Sequence, residues 1–367
     1  MNKQLTIAFF GSSIVSAYWN GAATYYRGVV KALAGLGHSV TFYEPDIYER
    51  QKHRDIPDPD YCRVVVYHSN EAEIERMLRQ ASAADVIIKA SGVGSHDALL
   101  ERRIAQLKNE ENLVIFWDVD APATLERIEN DAGDPFKALI PLYDLVLTYG
   151  GGQPVIDAYL GHGAKKCIPV YNALDRDTHY PVAADERFEC TLAFLGNRLP
   201  DREARVDEFF FGPATALPGH RFILGGSGWQ DKAMPSNVQY LGHVYTSDHN
   251  ALNCTPLTVL NISRDSMARY GYSPATRVFE AAGAGACIIT DYWEGIDFFF
   301  TPGKEILVAA NAEEVKDILH TLTAEKAREV GQAAYKKVIG QHTYAHRADL
   351  LESIFTRELS GKATTIF

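Results

Sequence analysis

Ser273-Pro-Ala-Thr-Arg-Val-Phe-Glu-Ala-Ala-Gly-Ala-Gly-Ala-Cys-Ile-Ile-Thr-Asp291 places a helix start, a charged pair and an apolar run in one stretch. Ser273 is a favourable N-cap and Pro274 suits the first helical position, where its missing N–H costs nothing, so a helix is expected over residues 274–282. Gly283 and Gly285 can end it, and residues 286–290 read as a buried strand. Arg277 and Glu280, three apart, share a helix face, while Val278, Ala281 and Ala282 can pack elsewhere. Arginine offers a rigid fork of donors to phosphate oxygens, and an ionised glutamate accepts from both hydroxyls of a ribose. A diphosphate is favoured at the positive end of the same helix. The pair therefore suits a nucleoside diphosphate, the plain alternative being a solvated Arg/Glu pair worth about 0.3 kcal/mol.

On either side of this stretch, apolar runs alternate with helical patterns, which argues for parallel sheets with crossover helices. One series has strands at residues 5–10, 39–43, 63–67, 86–90, 113–117, 145–148 and 166–170, with helices near 21–36, 71–81, 97–109 and 153–160. A second has strands at 192–196, 222–225, 238–241, 259–262, 286–290 and 306–308, with helices near 202–210, 247–254, 274–282 and 312–322. Residues 175–188, charged and interrupted by Pro181, read as the linker. The expected fold is α/β, with two Rossmann-like parallel-sheet domains.

Composition narrows the function. The 367 residues are 46% hydrophobic and 23% charged, ordinary for a globular chain long enough for two domains. Neither a long apolar run nor a leader pattern is present, so a cytoplasmic protein is expected. The five cysteines (Cys62, Cys167, Cys190, Cys254, Cys287) are scattered without a Cys-x-x-Cys pair and read as buried thiols, with no metal site. A net charge of −11 disfavours nonspecific attraction to nucleic acid or anionic lipid.

The first strand leads into a long loop, Gly11-Ser-Ser through Trp19-Asn-Gly-Ala-Ala23, whose small residues Gly11 and Gly21 let backbone amides approach an anionic ligand. A dinucleotide fingerprint and a Walker lysine loop are both missing, which sets aside nicotinamide chemistry and ATP hydrolysis. Trp229, in Gly225-Gly-Ser-Gly-Trp229, can stack on a base or simply close a turn. The 19 tyrosines suit carbohydrate stacking, but their positions in sequence form no platform.

Several segments in order carry a resemblance: Asn172-Ala-Leu-Asp175 with Pro181, Phe194-Leu-Gly-Asn-Arg198 followed by Arg202, Tyr240-Leu-Gly-His-Val244, Leu260-Asn-Ile-Ser-Arg264, the Ser273–Asp291 stretch, and Thr301-Pro-Gly-Lys-Glu-Ile306. Over nearly its whole length the chain resembles the GT-B glycosyltransferases, and more closely their CgeB-like, spore-maturation-protein-like group. The resemblance implies an acceptor-side domain over 1–175, a nucleotide-sugar-binding domain over 176–345 facing it across a cleft, and a final helix in 346–367 that packs back on the first domain. It implies sugar transfer from a nucleotide diphosphate sugar to a hydroxyl acceptor without a metal or cofactor. Arg198, Arg202 and Arg277, with the amides near Ser273, would hold the diphosphate, Arg198 also stabilising the leaving group, and Glu280 would hold the ribose. Many retaining members carry an acidic residue where this chain has Tyr272, which leaves the stereochemistry open. Asp120, in Asp-Ala-Pro122, resembles the family's Asp-x-Pro segment and is the first candidate for a general base, with Asp118 second. One of the two could instead cap the helix that follows. An epimerase or hydrolase of the same architecture, or a nucleotide-sugar-binding protein without turnover, are the alternatives.

Overall fold

A computed structural model describes residues 3–364. The chain forms two compact units, one built from the residues up to Tyr171 and those from Tyr344 onward, the other from Asn172–Thr343. The changeovers precede the expected ones after 175 and 345 because residues 172–175 are already woven into the second unit. There the Leu174 N–H donates to the His342 carbonyl at 2.8 Å, and Leu174 forms a bridge with Thr343.

The first unit contains β1 (Thr6–Phe10), β2 (Ser39–Asp46), β3 (Arg63–His68), β4 (Val86–Ala90), β5 (Leu113–Asp118), β6 (Leu145–Thr148) and β7 (Cys167–Pro169). They form a seven-stranded parallel sheet in the order β3-β2-β1-β4-β5-β6-β7. Helices cover both faces of such a sheet, so the central strands β4 and β5 are buried along their whole length. Lys89 inside β4 is tolerated because its ammonium donates to Asp97 at 2.7 Å and to the Ala90 carbonyl at 2.8 Å. Helix Ala23–Gly35 packs on the last helix, Tyr344–Thr364, with Gly28 against the Tyr344 ring.

The second unit contains β8 (Leu192–Leu195), β9 (Phe222–Gly225), β10 (Val238–Gly242), β11 (Thr258–Asn261), β12 (Ile288–Asp291) and β13 (Leu307–Ala309). Its six-stranded parallel sheet runs β10-β9-β8-β11-β12-β13. In each sheet the order reverses beside its first strand, between β1 and β4 and between β8 and β11. Crevices at such switch points, beyond the carboxyl ends of the strands, are where doubly wound sheets hold ligands.

Local structure departs from the expected pattern in places. Residues 202–210 are not one helix but Glu203–Val206, a widened π turn over Asp207–Phe211, and Gly212–Ala216, where Pro213 interrupts the regular hydrogen-bond ladder. An 18-residue helix, Ala324–Gln341, capped by Thr323 accepting from Lys326 N–H, was not expected. Among the described residues no helix is long and apolar enough to cross a membrane.

Candidate functional site

The Ser273–Asp291 stretch forms a helix that starts later than its sequence suggests, at Thr276, and runs to Gly283. Ala275, not Ser273, occupies the N-cap position, and no side chain caps the helix. The preceding residues are used otherwise. Gly271 and Tyr272 adopt φ of 68° and 46°, and the Tyr272 N–H donates to the Glu294 carbonyl at 2.6 Å, while the Pro274 carbonyl accepts from buried Asn172 at 3.4 Å. Ser273 is buried in this turn, and the Tyr272 ring lies against Gly295. The helix ends as expected: Gly285 has φ 82°, and the Ala286 N–H reaches back to the Ala281 carbonyl at 3.0 Å.

At the switch point of the second sheet, the loop after β8 brings Arg198 and Arg202, and the loop after β11 brings Arg264. The three do not have the same freedom. Arg198 donates from Nε and Nη2 to Glu203 at 2.8 and 2.7 Å and from Nη1 to Asp231 at 2.9 Å, so all three of its nitrogens are engaged. These hydrogen bonds, the Glu203 one foremost, raise its pKa further. Arg264 pairs with Asp201 at 2.6 Å. Arg202 donates from Nη2 to the Asn197 carbonyl at 2.6 Å, but its buried Nε has no partner. Burial, and next the repulsion of nearby Arg277, push its pKa down to about 10. Arg277 donates no hydrogen bond and forms no ion pair among the described residues, and burial lowers its pKa. Two guanidinium groups, Arg202 with an unpartnered buried Nε and Arg277 opposed only by the nearby Glu280 charge, thus lie near each other beside an uncapped helix start.

The support beneath them is firm. Asp291, buried at the end of β12, accepts from the Ser263 N–H and hydroxyl at 3.1 and 3.2 Å and pairs with Arg205, fixing the turn that carries Arg264. Burial raises the pKa of Asp291. Glu280, one helical turn beyond Arg277, has His179 Nε2 at 4.0 Å from its carboxylate, an ion pair only when that imidazole is protonated. Arg264 and His179 were given no role from sequence, because the loop after β11 brings Arg264 to Asp201 and Arg202, and the segment before β8 brings His179 to Glu280, only in the folded chain. Trp229 cannot stack on a base: it is buried and donates from Nε1 to the Gly196 carbonyl at 2.8 Å.

In the first unit, the proposed carboxylates separate into different roles. Asp118 is fully buried. It accepts from the Ser91 hydroxyl at 2.7 Å, the Thr124 hydroxyl at 3.0 Å, the Asp120 N–H at 3.0 Å and the Tyr159 phenol. Burial raises its pKa while these donors oppose the rise. It organises the turn and offers no face to a substrate. Asp120 begins helix Ala121–Asn130, yet its side chain caps nothing and is exposed. The Gly11 N–H donates to the Tyr43 carbonyl at 3.1 Å, and its missing Cβ makes room for the Phe42 ring. Gly21 is exposed, with open space around it. Among the described residues no group of His, Cys, Asp or Glu is arranged to hold a metal ion.

Residues 202–353 match the family model described as "Glycosyl transferase-like". No curated protein sequence matches the chain. Similar solved structures include a sucrose-phosphate synthase from Thermosynechococcus elongatus, 14% identical, covering 98% of this chain and 100% of that one with a TM-score of 0.69. A complex of Anabaena HepE with UDP and glucose is 13% identical, covers 96% and 100%, and has a TM-score of 0.67. T4 phage BGT with its UDP-glucose substrate is 12% identical, covers 97% and 99%, and has a TM-score of 0.60. The chain therefore has the GT-B fold of two parallel-sheet α/β units, and the glycosyl transferase-like match spans most of its second unit and runs into the final helix.

Proposed function

We propose that the protein is a glycosyltransferase that moves a sugar from a nucleotide diphosphate sugar to a hydroxyl acceptor. The observation that carries this reading is the pair Arg202 and Arg277, neighbouring cations at the second sheet's switch point within the matched residues, Arg202 with a buried Nε that has no partner. A diphosphate would supply the missing acceptors. Departure of the nucleoside diphosphate leaves negative charge on the leaving oxygen, which fixed guanidinium groups and the helix start stabilise without a metal. Arg198, braced by Glu203 and Asp231, would set the loop that carries Arg202 and reach phosphate only by giving up those partners. Glu280 would accept from the ribose hydroxyls, and the Tyr272–Ser273 turn would face the donor sugar. Asp120 is the proposed base or acceptor-orienting group, held in place by Asp118.

UDP is the first nucleotide to test, because HepE and T4 phage BGT were solved with UDP or UDP-glucose. The narrower CgeB-like membership and a cytoplasmic location belong to this proposal as well, resting on the ordered segments from Asn172 to Ile306 and on the soluble donor. Thermal shift and calorimetry with UDP, GDP and ADP should reveal one preferred nucleotide. Arg277→Ala and Glu280→Ala should each weaken its binding by about 1.5 to 3 kcal/mol, the worth of a hydrogen bond to a charged group. Undiminished affinity in both folded variants would remove the donor site. Acceptor-dependent release of the nucleoside diphosphate would separate transfer from epimerisation and from binding alone.

A further inference from the structure

Away from the arginines, the first unit presents a cluster of aromatic rings that its core does not use. Trp19 is 79% exposed, Tyr48 58% and Tyr18 40%, whereas Trp117, Trp229 and Trp293 are buried. These rings sit on the loops that follow β1 and β2 at the carboxyl edge of the sheet. In the loops that follow β1 (residues 11–22) and β2 (residues 47–62) they are the exposed large hydrophobic side chains, without an aliphatic among them; the exposed Leu36 lies at the end of the intervening helix, before β2.

The loops are built to hold the rings still. Arg50, itself buried, joins them by donating to the Ser12 carbonyl at 3.2 Å and the Trp19 carbonyl at 3.0 Å, with its guanidinium 5.2 Å from the centre of the Tyr48 ring. Asn20 donates to the carbonyls of Ser13 and Ser16 at 2.7 and 2.9 Å. Tyr18 stacks on His53 at 4.2 Å and meets Trp19 edge to face at 6.1 Å. Trp19, Tyr48 and Glu49 take φ of 48°, 53° and 57°, a conformation that costs a bulky residue about 1 kcal/mol or more. The Tyr48 phenol donates to the Gly94 carbonyl at 3.0 Å in the loop after β4, whose neighbouring strand β5 ends two residues before Asp120.

We propose that Trp19 and Tyr48, with Tyr18 behind them, form a stacking platform for a neutral sugar ring, so that the acceptor of the proposed transfer is a glycan. The acceptor role rests on the glycosyltransferase reading; the stacking does not. A pyranose shows one face of C–H groups to the electron-rich face of an aromatic ring and turns its hydroxyls outward. Nucleic acid fits the surroundings less well, since the chain carries −11 overall and carboxylates outnumber cations between residues 46 and 60. The missing aliphatic residues make a protein or lipid surface the poorer occupant.

Trp19 supplies its own readout, because iodide quenches an exposed indole in preference to buried ones. Maltotriose, cellotriose, mannotriose and tri-N-acetylchitotriose would be titrated against the whole chain, beside a single-stranded oligonucleotide and an unrelated peptide. At least one sugar should halve iodide quenching, and calorimetry should find its affinity lowered about tenfold in Trp19→Ala and in Tyr48→Ala but largely kept in Trp19→Phe. Protection by none of the sugars, or by the oligonucleotide or peptide alone, overturns the platform; so does a sugar affinity indifferent to Trp19→Ala. UDP binding to the unmodified protein is measured in parallel. Its absence counts against glycosyl transfer and leaves sugar stacking standing, whereas UDP binding without sugar protection counts against the platform alone.

Discussion

Arg202 shows how a binding residue can cost the fold that carries it. Its guanidinium is partly buried, lies near Arg277 and Arg264, and has a pKa pushed down to about 10 by burial and then by Arg277. The unfolded chain therefore holds that proton more tightly than the folded one, so the charge opposes folding at every pH below about 10. Arg202→Met should leave the melting temperature unchanged or raise it, while lowering UDP affinity about tenfold. Parallel melting and calorimetry check the opposed signs; equal loss of both would make Arg202 a structural residue. Asp118 is the contrasting case, since its removal strands the donors of Ser91, Thr124, Tyr159 and Asp120 in a buried place. Asp118→Ala should cost about 2 to 4 kcal/mol in urea unfolding, and a loss below about 1 kcal/mol would show that those donors find water.

At the scale of elements, the apolar strands were the most legible feature, because burial on both faces of a parallel sheet writes them as continuous runs, as in Val86–Ala90. Helix Ala324–Gln341 was illegible for the opposite reason. Its buried face is Ala327, Val330, Gly331, Ala334 and Val338, small residues at helical spacing that lower the apolar contrast, and Gly331 lets its backbone approach Gly285 and Ala286 closely. The site was legible in part. Arg277 and Glu280 declared themselves by spacing within one helix, but the occupation of Arg198, the burial of Asp118 and the gathering of Tyr18, Trp19 and Tyr48 depend on contacts between distant segments. Helix-to-helix closeness gives a further test in the first unit, where a Cβ at position 28 would collide with the Tyr344 ring. Gly28→Ala should destabilise the protein by about 1 to 3 kcal/mol despite the better helix propensity of alanine. A stabilised variant in urea unfolding would show that Tyr344 swings aside freely.

For the whole molecule, the proposed ligands fall on different units, which hydrogen exchange can map. UDP should slow exchange around residues 196–202, 262–264 and 276–283, and a platform sugar should slow it around residues 17–20 and 47–50. Protection by UDP confined to the first unit would move the donor site away from the arginines. The chain's own order has a different consequence. Helix Tyr344–Thr364 lies against helix Ala23–Gly35, and its Tyr344, Ala348, Leu351, Ile354 and Phe355 are buried, yet all of Asn172–Thr343 is synthesised before it. A ribosome therefore delivers everything the second unit needs while the first, begun earlier, still lacks part of its covering. The unit that starts first finishes last, and a nascent chain stalled before residue 344 carries an apolar face open to chaperones beside a domain already able to close.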